Sequence, residues 1–498
     1  HMMRASGILL PISSIPSNYG IGCFSKEAYA FVDQLAEAGQ KYWQILPLGP
    51  TSYGDSPYQS FSTYAGNPYF IDLNTLIEEG VLTKKECNLA DFGSDSRFID
   101  YGKLYKARYK LLRKAYERSN ISQNPEFQTF QEENAWWLDD YSLFMAVKGF
   151  FQDECWDKWP EDIKKRYGYA LDYYREQLYF EVEFQKYMQF EFSIQWKKLK
   201  TYANENGIRI IGDIPIYVAY DSADTWAHPE LFQLDEENVP LAVAGCPPDG
   251  FAADGQLWGN PLYRWDYHRQ TGYAWWIQRL SYAFYLYDVV RIDHFRGFDE
   301  YFSIPYGDTT ARNGHWEKGP GIELFHRMKE VLGERDVIAE DLGYVTDSVR
   351  QMVFESGFPG MKVFEFAFDS RDTGCAGDYL PHNYPVNSVV YTGTHDNATL
   401  IGWYQDIPKE GREMLRDYIH DYTTSDRSLH WSVICRVMGS PARICMIPMQ
   451  DYLGLDNTCR INTPSTLGTN WKWRLLDGEF TSDLQNKIKK LVRIYQRN

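Results

Sequence analysis

The segment DVVRIDHFRG, residues 288–297, combines the apolar residues of a buried strand with charged residues. Its apolar β-branched residues, two valines and an isoleucine, are typical of a strand that is buried on both faces. Arg291 and Asp293 interrupt this run two positions apart, and side chains at that spacing leave a strand on the same face. The pattern predicts a buried strand that carries a guanidinium and a carboxylate to one side.

Short apolar runs recur along the chain, and most are continuous, as in parallel strands that are covered on both faces. The eight candidate strands are GILLPI (7–12), YWQILPL (42–48), IRIIGDIPI (208–216), VVRID (289–293), DVIAED (336–341), MKVFEF (361–366), SVVYTGTHD (388–396) and RICMIPMQD (443–451). Helical patterns such as SKEAYAFVDQLAEAG (25–39) and TDSVRQMVFESG (346–357) lie between them. This alternation predicts a (β/α)8 TIM barrel rather than an open doubly wound sheet.

The uneven spacing of the strands predicts large insertions. About 160 residues separate the second candidate strand from the third, far more than a βα connection needs. We expect residues 50–205 to form one or more mostly helical subdomains between these strands. A second insertion, residues 217–272, lies between the third and fourth strands and contains the loop AGCPPDGFAADGQLWGNPLY (244–263). Residues 1–498 as a whole are predicted to form a single barrel.

The composition narrows the class of partner. The chain has 498 residues, a net charge of −17 and a pI of about 5.1. A chain this acidic repels phosphate backbones and anionic membrane surfaces, so we expect neither nucleic acid nor a membrane as a partner. Aromatic residues form 16% of the chain and indicate either a large core or stacking platforms for sugar rings.

The cysteines and the apolar segments indicate in which cellular compartment the protein is expected. The eight cysteines form no C-x-x-C pair, which favours reduced thiols over a zinc site or a disulfide framework. No apolar run reaches the roughly 18 residues of a membrane helix, and HMMRASGILLPISS at the start lacks the apolar core of a signal peptide. We therefore expect a cytoplasmic protein without a metal site.

Acidic residues stand at the ends of three candidate strands. Asp293 ends the fourth, Glu340 in IAEDLG ends the fifth, and Asp396 in THDN ends the seventh. Because all strands of such a barrel open on one face at their C-terminal ends, we expect these carboxyl groups to share a site. Arg291 is placed to hold Asp293 in its ionised form.

Each acid also has a structural explanation. A single Asp after a strand is more often a turn former or a helix cap, and this explanation stays open for Asp341. Asp288 and Asp369 are interpreted as structural or solvated. The same explanation weakens for three acids that fall at three strand ends of one barrel. Paired carboxyl groups of this kind suit the cleavage of a glycosidic bond, which needs one ionised and one protonated group.

The segments RIDHFRG (291–297), AEDLG (339–343) and THDN (394–397) resemble the catalytic segments of the α-amylase clan. The match is closest to glycoside hydrolase family 77, the amylomaltases or 4-α-glucanotransferases. The resemblance extends over nearly the whole chain. It includes the further segments SPYQSFSTYAGNPYFIDL (56–73), GDIPIYV (212–218), GQLWGNPLY (255–263) and NTPSTLGTNWKWR (462–474).

The resemblance implies a role for each site residue. Asp293 would be the nucleophile, Glu340 the general acid and base, and Asp396 a third acid that holds sugar hydroxyls and distorts the ring. The residues implied to contact sugars are Arg291, His294, His395, Asp213, Tyr58, Gln256, Trp258 and Asn462.

The implied activity is the transfer of α-1,4-glucan segments to the 4-hydroxyl of another glucan or of glucose, with retention. Maltose, maltodextrins and other α-1,4-glucans would be the partners, and the carboxyl groups would need no cofactor. We expect a monomer or a weak homo-oligomer that acts in carbohydrate metabolism. Two rival functions are a retaining α-glucan hydrolase, with water as the acceptor, and a non-catalytic sugar-binding barrel.

Overall fold

A closed barrel of parallel strands forms the centre of the chain. The structure, a computed structural model, describes residues 3–250, 252–343, 345–368 and 376–498, so that Phe251, Asp369 and Cys375 lie outside the described residues. The strands within these ranges are β1 (Ala5–Leu9), β2 (Tyr42–Gln44), β3 (Arg209–Pro215), β4 (Ala242–Cys246), β5 (Gln256–Pro261), β6 (Val289–Asp293), β7 (Glu300–Pro305), β8 (His315–Lys318), β9 (Val337–Ala339), β10 (Gly360–Val363), β11 (Ser388–Tyr391) and β12 (Ile444–Pro448).

Eight of these strands close the barrel in the order β1-β12-β11-β10-β9-β6-β3-β2, and every pair in it is parallel. Each of the eight overlaps one of the candidate strands in the sequence. The predicted (β/α)8 barrel is therefore confirmed.

Helices cover the barrel. They are α1 (Lys26–Glu37), α2 (Leu73–Glu78), α3 (Lys84–Leu89), α4 (Tyr101–Ser119), α5 (Pro125–Phe150), α6 (Glu161–Lys164), α7 (Gly168–Gln177), α8 (Tyr179–Glu205), α9 (Ala223–Ala227), α10 (Trp265–Gln270), α11 (Ala274–Leu286), α12 (Ile322–Leu332), α13 (Asp347–Ser356), α14 (Leu400–Asp406), α15 (Lys409–Ile419), α16 (Leu429–Met438), α17 (Met449–Leu453) and α18 (Ser482–Ile494). The predicted ends of α13 are confirmed, because Thr346 caps its first turn and Gly357 closes it at a φ of 74°.

The apolar residues of the barrel strands divide between two cores. The inner core fills the barrel, and each of the eight strands contributes to it: Leu9, Tyr42, Ile211, Val289, Ile338, Met361, Val389 and Met446. Val290 and Ile292 belong instead to the outer core beneath the helices. Because alternate residues face the same way, Arg291 and Asp293 follow Val289 into the barrel. The strand is thus apolar on its outer face and becomes charged on its inner face towards the C-terminal rim.

The long connection between β2 and β3 contains α2 to α8, and its middle part, chiefly α5 to α7, forms a core of its own. Trp137 and Phe144 of α5 pack there with Trp156, Trp159 and Trp226. Many of the aromatic residues noted in the sequence are therefore buried in this subdomain. Since these rings are packed against one another, they are not available as sugar platforms.

A four-stranded antiparallel sheet, in the order β5-β4-β7-β8, stands beside the barrel. Strands β4 and β5 come from the second insertion, and β7 and β8 follow the barrel strand β6. The sequence did not predict this sheet. Its strand β5 carries Gln256 and Trp258, so that much of the predicted loop 244–263 is a β-hairpin.

No helix in the described ranges combines the length and the apolar character that a membrane span requires.

Candidate active site

The guanidinium of Arg291 lies at the centre of the barrel mouth. Its Nη1 donates to both carboxylate oxygens of Asp213, at 2.9 and 2.8 Å, and lies 3.2 Å from Oδ1 of Asp293. The register between β3 and β6 pairs Asp213 with Arg291 and Pro215 with Asp293, which brings the two acids to adjacent levels. Burial alone would lower the pKa of Arg291, but Asp213 and Asp293 outweigh it and raise that pKa, so the guanidinium stays charged.

Tyr58 connects the first insertion to this centre. Its hydroxyl donates to Oδ2 of Asp213 at 2.5 Å, and its ring stacks on His395 at 5.0 Å between centroids and 14° between planes. Burial and the neighbouring Asp213 raise the pKa of Tyr58 well above its ordinary value, so its proton stays on the phenol oxygen. One side chain therefore holds both the Asp213–Arg291 pair and the imidazole beside Asp396.

Glu340 is fixed against the same strand as Asp293. Its backbone N–H donates to the carbonyl of Ile292 at 3.1 Å, and its own carbonyl accepts from Phe295 at 3.0 Å. The backbone N–H of Leu342 donates to Oε2 of its carboxyl group at 3.1 Å. Ile338, two positions earlier, belongs to the inner core. Because side chains two positions apart face the same way, the side chain of Glu340 points to the inner face, as that of Asp293 does.

Asp396 is held by hydrogen-bond donors on two sides. Nδ2 of Asn462 donates to its Oδ1 at 2.7 Å, and Nε2 of His395 lies 3.3 Å from its Oδ2. Burial would raise the pKa of Asp396, but His395, Asn462 and Arg291 outweigh it and lower that pKa well below its ordinary range. This carboxyl group is ionised throughout the physiological range, and 42% of its side-chain surface remains open to the cleft.

The two remaining acids have raised pKa values, by different amounts. Burial raises the pKa of Asp293 to about 6, with Arg291 opposing the rise and Asp213 and Asp396 adding to it. Burial and the charge of Asp293 raise the pKa of Glu340 to about 8. Near neutral pH the arrangement favours an ionised Asp293 and a protonated Glu340.

His294 and Trp258 pack against each other beside Asp293. His294 follows the strand in a left-handed conformation with a φ of 53°, which is uncommon for a residue with a side chain and is concentrated at functional sites. Burial and the nearby Arg296 lower the pKa of His294 to about 3, so its imidazole is neutral. The ring of Trp258 meets it edge-on at 4.8 Å, and Nε1 of Trp258 donates to Gln256 at 3.1 Å.

Asp213 is one of three predicted sugar contacts that are buried, together with Arg291 and His395. Its side chain has no exposed surface, and Arg291 and Tyr58 occupy its oxygens. Its predicted contact with sugar therefore stays a prediction, and the geometry favours a positioning role. Arg291, which is 2% exposed, reaches the cleft chiefly through its contact with Asp293.

The structure assigns backbone contacts to two other acids. Oδ1 of Asp341 accepts from the N–H of Met361 at 2.9 Å, and Asp288 accepts from the N–H of Ile210 at 2.8 Å while pairing with Lys200 at 3.1 Å. These contacts connect neighbouring strands, as expected of structural carboxylates. Among the described residues, no group of three or more His, Cys, Asp or Glu side chains has the arrangement of a metal site.

Sequence reasoning missed Arg460. Its guanidinium donates to the backbone carbonyl of Asp396 at 2.7 Å and to that of Asn462 at 2.8 Å. The contact holds the segment that carries Asn462 against the segment that carries Asp396. Arg460 lies in no apolar run and beside no acid in the chain, so the sequence offers no signal for this contact.

Comparison with known proteins accounts for this arrangement of acids. The family described as 4-alpha-glucanotransferase, glycoside hydrolase family 77, matches residues 10–479. The chain belongs to this family. The 4-alpha-glucanotransferase of Clostridium butyricum is 50% identical over 488 residues, which cover 98% of this chain and 99% of that protein. The enzyme of Thermus thermophilus is 46% identical over 503 residues, covering 99% of each.

Solved structures agree. The amylomaltase from Streptococcus agalactiae in complex with acarbose matches with a TM-score of 0.95 and 40% identity, over 99% of this chain and 100% of that one. The family and the enzyme class expected from the sequence are confirmed: the chain is a 4-alpha-glucanotransferase of family 77. A plain hydrolase and a non-catalytic barrel are not favoured.

The buried pair predicts a stability effect for this family-77 enzyme. Arg291→Met would leave Asp213 buried without its cation, and breaking a buried ion pair costs about 3–5 kcal/mol. We expect a clear fall in Tm, measured by thermal unfolding. The Arg291→Met/Asp213→Asn double variant should recover part of the loss, because the uncompensated charge is gone. Arg269→Met, which breaks an exposed pair with Glu323, is the control and should leave Tm nearly unchanged. An equal fall in Tm for Arg291→Met and Arg269→Met would contradict the account.

Proposed function

We propose that this family-77 enzyme cleaves an α-1,4 bond of a maltodextrin and passes the glucanosyl unit to the 4-hydroxyl of an acceptor, with retention at the anomeric carbon. The observation that carries the proposal is the difference between the two interior acids: Asp293 ionises at a lower pH than Glu340. A retaining mechanism needs one carboxylate that attacks and one carboxyl group that holds a proton.

In the first step, the carboxylate of Asp293 attacks the anomeric carbon while Glu340 gives its proton to the departing glycosidic oxygen. The bond between carbon and oxygen breaks, and an ester to Asp293 forms. In the second step, the acceptor hydroxyl attacks the same carbon and gives its proton to Glu340. The ester bond breaks, and both carboxyl groups return to their starting states.

Asp396 has the properties of a hydroxyl-binding group. It is ionised, partly open to the cleft, and fixed by His395 and Asn462. A carboxylate accepts hydrogen bonds from sugar hydroxyls more strongly than a neutral group does. We propose that it holds two hydroxyls of the attacked glucose and stabilises the distorted ring of the transition state.

Arg291, Asp213 and Tyr58 position the nucleophile. Arg291 attracts Asp293 and opposes the rise in its pKa, while Asp213 and Tyr58 fix the guanidinium. Since Arg291 and Asp213 are almost fully buried, they act through Asp293 rather than through the bulk of the sugar. The sugar contacts of His294, His395, Gln256, Trp258, Asn462 and Tyr58 belong to the same proposal and rest on their places around the cleft.

The β4–β5 hairpin is suited to choosing the acceptor. It presents Trp258 beside His294, which directly follows Asp293. An apolar surface near the ester excludes water and binds the flat face of a sugar, which raises the effective concentration of the acceptor. This property favours transfer over hydrolysis.

We further propose maltose, maltodextrins and other α-1,4-glucans as substrates, a cytoplasmic location, and a monomer or weak homo-oligomer. The acidic net charge and the absence of C-x-x-C pairs support this setting. Residues 50–205 would act as an inserted subdomain of one catalytic unit, and residues 217–272 as the insertion that carries the acceptor side.

The two pKa values predict a bell-shaped pH dependence of kcat/KM for maltotriose disproportionation. Activity should rise with increasing pH through about 6, because Asp293 must lose its proton. It should fall through about pH 8, because Glu340 must keep its proton. Glu340→Gln should lower the rate by a factor of about 10² to 10⁴, the usual contribution of a general acid.

Asp341→Asn is the matched control, since it changes the neighbouring carboxyl group, which contacts the backbone of Met361. It should keep both limbs of the profile. A Glu340→Gln variant with near wild-type activity, or a profile without an alkaline limb, would refute the assignment of Glu340.

Trp258→Ala should raise the ratio of hydrolysis to transfer, because water gains access to the ester when the acceptor surface is lost. The ratio is measured as new reducing ends per glucan transferred from maltotriose. Leu257→Ala is the control, since alternate positions of the strand face opposite ways. An unchanged ratio, with only a general loss of rate, would mean that Trp258 does not select the acceptor.

A further inference from the structure

A second groove lies apart from the catalytic acids. It is formed by the inserted helix α5, the short helix α9 and the helix α11. Its wall includes several aromatic residues, among them Trp136, Tyr64 and Tyr141. Asp293, Glu340 and Asp396 are not among its lining residues. The groove is therefore a separate feature of the enzyme.

Trp136 is the exposed ring of this groove. It is 41% exposed, whereas Trp137, the next residue of α5, is 5% exposed and packs into the core of the subdomain. Tyr64 meets the ring of Trp136 at 4.8 Å and 76°, and Tyr282 meets it at 5.9 Å and 81°. These edge contacts hold the indole in place. A fixed, exposed indole is a flat apolar platform on the surface.

One buried hydroxyl group lies at the same wall. Tyr64, which lines the groove, is 7% exposed, and its hydroxyl has no hydrogen-bond partner within the described part of the chain. A buried hydroxyl without a partner is destabilising and rare in native proteins, so this group calls for an explanation. A ligand that brings a donor or an acceptor into the groove would satisfy it.

The remaining polar groups define the chemistry of that ligand. Asp140 and Asp224 line the groove together with His228 and Gln278. Arg166 engages one oxygen of Asp140 at 2.8 Å, and the backbone N–H of Thr63 engages Asp224 at 2.9 Å. Two carboxyl groups disfavour a phosphorylated or otherwise anionic ligand, while carboxylate, imidazole and amide groups all pair with hydroxyls.

We propose that this groove is a second binding site for α-glucan, in which a glucose unit stacks on Trp136 and its hydroxyls reach the buried polar groups. The identity of the ligand rests on the proposed function, because a glucanotransferase meets long glucans that extend beyond its cleft. A chain held at two places dissociates more slowly and is present at a higher effective concentration at the cleft. Maltotriose is too short to gain from this effect.

The groove also borders the active centre. Tyr64 and Asp224 also line a second, inner cavity, whose other lining residues include Tyr58 and Asp213. The shared side chains and this cavity therefore lie between the groove and the residues that hold Arg291. Because Trp136 does not line that inner cavity, its replacement leaves the positioning residues in place.

The test measures glycogen binding by affinity electrophoresis in the inactive Asp293→Asn background, so that the polymer stays intact. Trp136→Ala should weaken the affinity for glycogen about tenfold, and Trp136→Phe should restore part of it. Tyr64→Phe removes only the unpaired hydroxyl; it should weaken binding while Tm stays the same or rises. Phe354→Ala is the matched control, since Phe354 is an exposed aromatic residue, 80% exposed, on α13.

In the active enzyme, Trp136→Ala should raise KM for glycogen about tenfold, as the weaker binding implies, and leave kcat/KM for maltotriose unchanged. Glycogen affinities of Trp136→Ala equal to those of Phe354→Ala would overturn the inference, as would an equal loss of maltotriose activity. Saturable binding of choline without binding of maltoheptaose would overturn it in favour of a cation site. If the wild-type enzyme fails to disproportionate maltotriose while glycogen binding depends on Trp136, the proposed function fails and the second site stands.

Discussion

The buried guanidinium of Arg291 is the constraint on which the rest of the site depends. A cation with 2% of its surface exposed is stable inside a barrel only when anions and hydrogen-bond acceptors surround it. Asp213 on the neighbouring strand supplies the first anion, Asp293 the second, and Tyr58 fixes Asp213 from the inserted subdomain. These contacts of Arg291 require three features. The register must place Asp213 opposite Arg291, both side chains must point into the barrel, and the insertion must bring Tyr58 to Asp213.

This contact also organises the chemistry. Arg291 opposes the effect of burial on Asp293, and its influence on Glu340 is weaker than those of burial and of the charge on Asp293. Two carboxyl groups at one rim thereby reach different protonation states without any other catalytic group. Asp396 is set apart by its own donors, His395 and Asn462, and stays ionised. Three acids of similar intrinsic pKa thus obtain three different roles from their surroundings.

The barrel itself is predictable from the sequence because its strands are buried on both faces. Continuous runs such as VVRID are hydrophobic whichever way each residue points, and they stand out against the helices between them. The antiparallel sheet of β4, β5, β7 and β8 is different. Its strand AVAGC is short and rich in small residues, and it pairs with β7, which is distant in the chain. Local periodicity carries no information about such a partner.

The features of the site that the sequence does not predict have the same physical origin. The three acids are predictable because each lies at or shortly after the C-terminal end of a recognisable strand: Asp293 ends β6, Glu340 directly follows β9, and Asp396 lies five residues beyond β11. Whether Asp213 faces a sugar or a guanidinium depends on the register between two strands, which the sequence does not reveal. Arg460 acts through backbone carbonyls of a distant segment, and Trp136 differs from Trp137 only in the side of the helix that faces solvent. These contacts require the tertiary structure.

The central claim is that Asp293 forms the covalent intermediate while Glu340 manages the proton. Treating the Glu340→Gln variant with α-maltotriosyl fluoride tests it most directly, because fluoride leaves without an acid whereas the second step lacks its base. Mass spectrometry of the digested protein should find one maltotriosyl group per chain, on the peptide that contains Asp293, and none in an Asp293→Asn/Glu340→Gln double variant. A label on another residue, or no label together with a product of inverted anomeric configuration, would contradict the account.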